Sequence, residues 1–162
     1  MRTIKKDGFL NGVWNRLLQI AARLAPGATT WRVRLHRLRG VKIGKGVWIG
    51  YDAIIETSYP YLVTLKDRSS VGIRATIIAH MRETRGVVIE EDASIGPGAI
   101  VLPNVTVGKG SIVTAGSVVT TSVPPMTMVQ GNPAKPIASI GIPLRANVSL
   151  KEFSKRLKPI RH

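Results

Sequence analysis

The chain has 162 residues, 44% of them hydrophobic and 20% charged, which predicts one globular domain, and its lack of cysteine excludes disulfides, zinc–thiolate sites and thiol nucleophiles. Its 16 glycines and 10 prolines, against 5% aromatic residues, favour many tight turns over an aromatic-rich sandwich. The net charge of +15 lies at the two ends: residues 1–45 carry eleven basic side chains against one acidic, residues 145–162 carry six against one, and residues 46–144 carry seven of each.

The central part is therefore neutral, which does not favour a nucleic acid as partner. The basic flanks are either solvated or face phosphates of a cofactor, a nucleic acid or an anionic membrane. The residues after Lys5 and Lys6 are interrupted by Asn11, Asn15 and Arg16, so they form neither a signal-peptide core nor a spanning helix. We expect a cytoplasmic protein, either free or peripheral at the inner face of the membrane.

Residues 8–25 predict an amphipathic helix that ends at Pro26 and Gly27. Apolar residues recur in it at helical spacing, namely Phe9, Leu10, Val13, Trp14, Leu17, Ile20, Ala21 and Leu24. One interpretation is that this helix packs on the open end of the following domain and protects its edge. The other is that it touches an anionic membrane, with Trp14 at the interface.

A six-residue repeat begins at residue 41. One aliphatic side chain recurs in each unit, at Ile43, Ile49, Ile55, Leu65, Val71, Ile77, Ile89, Ile95, Val101, Val107, Val113 and Val119. A small or β-branched residue precedes each of them by two positions. Such a unit makes one short strand and one corner, and three units close a triangular coil that is stable only when stacked on others. The period therefore predicts a left-handed parallel β-helix of hexapeptide repeats.

Two insertions interrupt the repeat, one between Ile55 and Leu65 and one between Ile77 and Ile89. With three units per coil, both insertions leave the same face, one coil apart. Loops that extend from a rigid scaffold often carry function. The second loop contains His80, the only histidine of the repeat region.

The C-terminal segment predicts a short helix, because Ser149 and Glu152 have the spacing of a capping box and apolar residues follow them. The chain thus divides into a basic helical segment (1–40), the β-helix (41–140) and a basic tail with a short helix (141–162).

Several motifs in this order resemble the acetyl-CoA-dependent O-acetyltransferases of the hexapeptide-repeat class, which include galactoside, maltose and serine acetyltransferases and polysaccharide-modifying enzymes. The resemblance covers roughly residues 41–140. It rests on Ile-Gly-Pro-Gly-Ala at 95–99, Ala-Gly-Ser-Val-Val-Thr at 115–120, Val-Pro-Pro at 123–125, Gly-Asn-Pro-Ala-Lys at 131–135 and Glu-Thr-Ser-Tyr-Pro at 56–60.

The resemblance implies a homotrimer with active sites between neighbouring β-helices, acetyl-CoA as acyl donor with no metal, and a carbohydrate acceptor. It also implies a loop histidine as general base, for which His80 is the candidate. An imidazole suits this role, because it can take a proton from a hydroxyl near neutral pH. We expect Glu56 to orient His80, since the register places it directly below; acceptor hydroxyls could instead contact Glu56, Arg82 and Glu83.

For the donor, the resemblance implies that the pantetheine arm lies along Pro97, Ala115, Thr120 and Thr121, and that Lys135 approaches the nucleotide phosphates. One departure from the family pattern concerns Pro97. Relatives often use the backbone N–H at this position near the thioester oxygen, and proline has none. Gly98 or another group would have to replace it.

The same residues bear on three other functions. A zinc carbonic anhydrase on this scaffold needs about three histidine ligands, and the repeats hold one. An N-acetyltransferase acting on an amino sugar remains open. So does a non-catalytic β-helix that assembles or binds through its basic ends.

Overall fold

The computed structural model describes residues 8–81, 85–145 and 147–160, apart from the side chain of Phe9. Its helices are α1 (Phe9–Leu24), α2 (Trp31–Leu38), a 3-10 turn (Pro60–Leu62) and α3 (Leu150–Lys155). Its strands are β1 (Lys42–Ile43), β2 (Trp48–Ile49), β3 (Ile54–Ile55), β4 (Val63–Leu65), β5 (Ser70–Val71), β6 (Thr76–Ile77), β7 (Val87–Ile89), β8 (Ser94–Ile95), β9 (Ile100–Val101), β10 (Thr106–Val107), β11 (Ile112–Val113), β12 (Val118–Val119), β13 (Thr127–Gly131), β14 (Ala134–Ile140) and β15 (Leu157–Pro159).

The first twelve strands form four stacked coils of three strands each, so the predicted β-helix is confirmed. Strands β1, β4, β7 and β10 make face A, strands β2, β5, β8 and β11 make face B, and strands β3, β6, β9 and β12 make face C. All pairings between coils are parallel, and equivalent positions of the repeat align, as Ile55 does with Ile77 and Ile77 with Val101. The two insertions follow β3 and β6, both strands of face C.

The core is a continuous column of aliphatic side chains along the coil axis. The large residue of each unit and the small residue two positions earlier both point inward, because side chains alternate along a strand. Ile49, Ile55, Leu65 and Ile77 are completely buried, and each such side chain stabilises the fold by about 1.5–3 kcal/mol. At the corners, coils approach too closely for a side chain. A Cβ on Gly72 would lie 2.6 Å from the backbone of Gly96.

The two N-terminal helices cover the open end of the first coil. Helix α1 lies along β3, where Gln19 donates to the Ala53 carbonyl at 3.3 Å and the Asp52 N–H donates to the Arg23 carbonyl at 3.1 Å. Helix α2, which the sequence did not indicate as a separate helix, buries Val33 and His36 against the coil. The free backbone groups of the first coil are thereby partly satisfied.

Helix α1 does not pack on the coil through its large apolar residues. Its buried side chains are Asn15, Leu18, Gln19 and Ala22, whereas Leu10, Val13, Trp14, Leu17, Ile20 and Leu24 are exposed. The helix therefore packs on the first coil as one interpretation expected, but through the face that carries Asn15, Leu18, Gln19 and Ala22. The apolar stripe faces outward.

At the other end, β13 extends face B and forms an antiparallel sheet with β14 and β15. The predicted C-terminal helix is confirmed as α3. The Ser149 hydroxyl accepts from the Glu152 N–H at 3.1 Å, and Phe153 is buried. Among the described residues, no helix is both long and apolar enough to cross a membrane.

Candidate active site

The two bulges lie one above the other at the edge between faces C and A, which we call edge CA. The lower bulge starts at Glu56, directly after β3, and the upper one contains His80, three residues after β6. Because Ile55 pairs with Ile77, the chain leaves face C at the same point in both coils. This register places the two side chains in contact.

His80 and Glu56 form a hydrogen-bonded pair. The Nδ1 atom of His80 lies 2.8 Å from Oε1 and 2.9 Å from Oε2 of Glu56. The His80 side chain is 44% exposed, whereas the Glu56 side chain is fully buried. The ring of Tyr59 contacts the imidazole edge to face, with 5.8 Å between ring centroids. A solvent-accessible imidazole is thus supported from beneath by a buried carboxylate.

Backbone N–H groups fix the Glu56 carboxylate. Ser58 and Tyr59 donate to Oε1 at 2.8 and 3.2 Å, and Ala79 donates to Oε2 at 2.7 Å. Burial by itself raises the pKa of a carboxyl group, but the hydrogen bonds from His80 and these N–H groups outweigh it, so the pKa of Glu56 lies below its usual range. Glu56 also has a φ of 26°, an uncommon left-handed value that these contacts stabilise.

The charge of Glu56 determines what His80 can do. An ionised carboxylate only accepts hydrogen bonds, so Nδ1 of His80 carries the proton that Glu56 receives. The neutral imidazole then has its lone pair on Nε2, on the half-exposed ring. This arrangement is suited to a general base that takes a proton through Nε2 and is stabilised by Glu56 when it becomes positive.

A buried network holds the Glu56 segment from the side of the helices. Asn15 of α1 donates to the Thr57 carbonyl at 2.8 Å. Arg39, just after α2, donates to the Ile55 carbonyl at 2.9 Å, to the Glu56 carbonyl, and to Oδ1 of Asn15 at 2.7 Å. Burial lowers the pKa of Arg39 to about 10, while the charge of Glu56 opposes this shift. Arg39 therefore stays protonated at neutral pH.

The sequence does not indicate Arg39 or Asn15 as part of this site. Arg39 is one of eleven basic residues in a flank, and Asn15 is one polar position in an amphipathic helix. One sequence signal does point to Asn15. It precedes Gln19 by four residues, so the two side chains form a polar stripe opposite the apolar one.

The residues expected to bind the donor lie along both edges of face C. Pro97 and Ala115 are exposed at the edge between faces B and C, which we call edge BC, one coil apart. Lys135 is exposed beyond them, in the β13–β14 hairpin, whose Gly131 N–H donates to the Ser117 hydroxyl at 3.1 Å. Thr120 and Thr121 follow β12, at edge CA. Face C separates His80 from Pro97 within one chain.

The structure corrects two expectations about individual groups. The N–H of Gly98 donates to the Ile73 carbonyl at 2.8 Å, so Gly98 cannot replace the donor that Pro97 lacks. The second expectation is that Glu56 could contact acceptor hydroxyls. Its buried carboxylate is fully engaged by His80 and three N–H groups, so it has no surface for an acceptor.

The remaining candidates are three charged residues. Two of them, Arg82 and Glu83, lie outside the described residues. Asp52, another acid of the first coil, is at edge BC and pairs with Arg23 at 2.6 Å, so it does not contact His80. In the part of the chain that the structure describes, no group of three or more His, Asp or Glu side chains could hold a metal ion. Two surface depressions of about 300 and 470 Å³ lie along face A, away from the His80–Glu56 pair.

Comparison with known proteins gives a family match. The family described as bacterial transferase hexapeptide (six repeats) matches residues 86–121. YvoF of Bacillus subtilis, named by inference as an acetyltransferase, is 32% identical over 157 residues, which cover 93% of this chain and 84% of YvoF.

Other relatives match only about a third of this chain. A protein of Schizosaccharomyces pombe, also named by inference as an acetyltransferase, is 54% identical over 52 residues, or 32% of this chain and 25% of that protein. The 2,3,4,5-tetrahydropyridine-2,6-dicarboxylate N-acetyltransferase of Staphylococcus aureus is 55% identical over 51 residues, or 32% of this chain and 21% of the enzyme. The matched segment thus spans about a quarter or less of these two relatives.

Solved structures share the fold. The hexapeptide-repeat acetyltransferase of Vibrio cholerae, in complex with acetyl-CoA, superimposes with a TM-score of 0.64 at 23% identity, covering 80% of this chain and 87% of that one. Galactoside acetyltransferase in complex with coenzyme A gives 0.61 at 19% identity, covering 85% and 84%. The coil architecture and the near full-length match to YvoF show that this chain belongs to the hexapeptide-repeat acetyltransferase family.

Proposed function

We propose that this chain transfers an acetyl group from acetyl-CoA to a hydroxyl of a carbohydrate acceptor. The observation that carries the proposal is the pair formed by the half-exposed His80 and the buried Glu56. A sugar hydroxyl is a poor nucleophile at neutral pH, and a correctly oriented imidazole can remove its proton during attack.

In this mechanism His80 moves one proton in each direction. Its Nε2 accepts the hydroxyl proton while the acceptor oxygen attacks the thioester carbonyl carbon. When the C–S bond breaks, the imidazolium returns the proton to the departing thiolate of coenzyme A. Glu56 contacts neither reactant; it orients the ring and stabilises the positive charge, so it is a positioning residue.

The placement of the other residues supports a site shared between chains. His80 and Thr120 are at edge CA, while Pro97, Ala115 and Lys135 are at or beyond edge BC. If edge CA of one chain faced edge BC of the next, the donor could lie between them with its thioester near His80. Closed rings place such head-to-tail contacts around a symmetry axis, and we propose a homotrimer.

The donor would lie along exposed backbone with few large side chains. Pro97 and Ala115 leave room for the pantetheine arm beside the coils, and Lys135 offers a positive charge for phosphate. The solved structures of the Vibrio cholerae and galactoside acetyltransferases are complexes with acetyl-CoA and with coenzyme A, which supports the same donor here.

The second candidate function is N-acetylation of an amine. It is favoured by the Staphylococcus aureus relative, whose name specifies N-acetylation. Over the 51 aligned residues, 55% of the positions are identical in the two chains. An amine acceptor would need the same donor and the same base. Only the acceptor distinguishes the two functions.

The test is an assay of thiol release from acetyl-CoA with sugars, nucleotide sugars and their amino-sugar counterparts. We expect release with a hydroxyl acceptor and a loss of about 10²- to 10⁴-fold in kcat for His80→Ala. Met81→Ala is the matched control, because Met81 is exposed in the same loop. Full activity of His80→Ala would rule out the mechanism, and turnover of amines alone would favour N-acetylation. Thermal stabilisation by acetyl-CoA would separate both from a non-catalytic β-helix.

A further inference from the structure

Helix α1 presents a continuous apolar stripe to the outside. Six large side chains spaced three or four residues apart form it, and their exposed fractions are 80% for Leu10, 40% for Val13, 61% for Trp14, 55% for Leu17, 54% for Ile20 and 64% for Leu24. Single exposed apolar residues are normal on a protein surface, but a contiguous patch marks an interaction site.

The outward direction of the stripe is fixed by the opposite face of the helix. Asn15 and Gln19 donate to the Thr57 and Ala53 carbonyls of the first coil. The helix cannot turn its apolar side inward without breaking these buried hydrogen bonds, and each broken bond would cost about 1–3 kcal/mol if its polar group stayed buried. The hydrogen bonds of Asn15 and Gln19 therefore keep the apolar stripe on the outer side of the helix.

The segment that carries the stripe is strongly basic in sequence. Between residues 8 and 51 the sequence has no Asp or Glu, and it has eight basic residues: Arg16, Arg23, Arg32, Arg34, Arg37, Arg39, Lys42 and Lys45. Of these, Arg39 is buried and Arg23 pairs with Asp52. Arg16 and Arg34 are exposed. The guanidinium carbon of Arg34 lies 5.4 Å from the ring centroid of Trp31, which is itself 55% exposed.

We propose that the apolar stripe of α1 docks on an anionic lipid bilayer, with the helix lying in the interface. An amphipathic helix with large apolar residues on one side and basic residues beside them is typical of such binding. The anionic headgroups would neutralise the basic residues, each contributing to attraction near the surface. A second copy of the chain fits less well, because it would bring more positive charge and no acidic residue in this segment to offset it.

Docking would also bring the His80–Glu56 pair close to the membrane. The helix that carries the stripe is bonded through Asn15 to Thr57, the residue after Glu56. An acceptor attached to a lipid would then be presented near His80. The docking proposal itself rests on exposed side chains and charge, so its test does not depend on the acetyl-transfer proposal.

The test is co-sedimentation of the full chain with vesicles of equimolar phosphatidylcholine and phosphatidylglycerol, against pure phosphatidylcholine. We expect binding to the anionic vesicles that weakens as salt is added. Leu17→Glu should reduce the vesicle partition coefficient at least about ten-fold, since it removes a leucine that the bilayer would bury and adds a negative charge. The matched control is Leu150→Glu, the same change at a 72% exposed leucine of α3 at the other end of the solenoid, and it should bind almost as well as wild type.

Three results would overturn the proposal. The first is equal binding by Leu17→Glu and Leu150→Glu, and the second is no binding by the wild type. The third is a smaller oligomer for Leu17→Glu in sedimentation velocity with vesicle binding intact, which would assign the stripe to an interface between copies. Because both variants change exposed side chains, matching thermal melts would verify that they fold.

Discussion

At the scale of single residues, the site depends on how completely Glu56 is held. Four donors, one from His80 and three from the backbone, surround a carboxylate that is buried and ionised. Arg39 and Asn15 fix the backbone on either side of it. A carboxylate with this number of partners cannot rotate away, so His80 keeps one tautomer and one orientation.

Replacing Glu56 by Gln tests its role as a positioning residue. We expect kcat to fall about 10- to 100-fold, because an amide cannot stabilise the imidazolium as a carboxylate does. The KM for acetyl-CoA and for the acceptor should hardly change, since the buried side chain contacts neither. Steady-state kinetics with both substrates would measure this difference.

The control for this substitution is Asp52→Asn, which changes an acid at edge BC of the first coil. It should retain activity apart from small effects on stability. If Glu56→Gln instead raised the acceptor KM and left kcat intact, Glu56 would have a role in substrate binding.

At the scale of secondary-structure elements, α2 closes the solenoid by burying a histidine. His36 is 1% exposed, and Nη1 of Arg39 donates to its Nδ1 at 2.9 Å. Burial, and then the positive charge of Arg39, lower the pKa of His36 from 6.5 to about 3. The imidazole is therefore neutral in the folded protein.

This pKa predicts acid sensitivity of the N-terminal end. Below pH 6.5 the unfolded chain binds a proton at His36 that the folded chain does not bind until about pH 3. The free energy of unfolding should thus fall by up to about 1.4 kcal/mol per pH unit through this window from His36 alone, and the stabilisation is fully present above pH 6.5. Urea unfolding at several pH values would measure the slope.

The comparison for this measurement is His36→Asn, which can keep an acceptor for Arg39 and does not titrate. Its slope between pH 6.5 and 3 should be smaller than that of the wild type. Equal slopes would show that other groups cause the acid sensitivity.

At the scale of the whole molecule, the site residues are divided between two edges of one face. His80 lies at edge CA, and Pro97 and Ala115 lie at edge BC. Face C, with its four parallel strands, is rigid and lies between them. In the proposed trimer, one chain would supply His80 with Thr120 and Thr121 to a site, and its neighbour would supply the edge that carries Pro97 and Ala115.

Mixing inactive variants tests this division. His80→Ala removes the base, and Ala115→Trp should block the path of the pantetheine arm. Each variant alone should have little activity, but trimers assembled from an equal mixture should recover activity in about a quarter of their sites. In these sites the His80→Ala chain supplies an intact edge BC and the Ala115→Trp chain supplies an intact edge CA. Co-expression with two tags, followed by the thiol-release assay, would measure the recovery.

Mixed trimers that stay as inactive as the separate variants would place the whole site within one chain. The mass of the assembly from light scattering is the accompanying check. A mass of three chains is expected.

The sequence by itself determined the coil, the stacking of the bulges and the partner of His80. Strict spacing of six residues fixes which side chains point inward, and three units per coil fix which residues lie above one another. Glu56 could therefore be placed under His80 by counting. Helices α1 and α3 likewise follow from local periodicity and capping.

Only the tertiary structure decided how distant segments meet. The periodicity of α1 could not show which side faces the coil, because Asn15 and Gln19 are satisfied by the carbonyls of Thr57 and Ala53, far along the chain. Gly98 lost its expected role because its N–H bonds to the preceding coil. Arg39 joins the site because a buried charge needs several acceptors, and only folding brings those acceptors together.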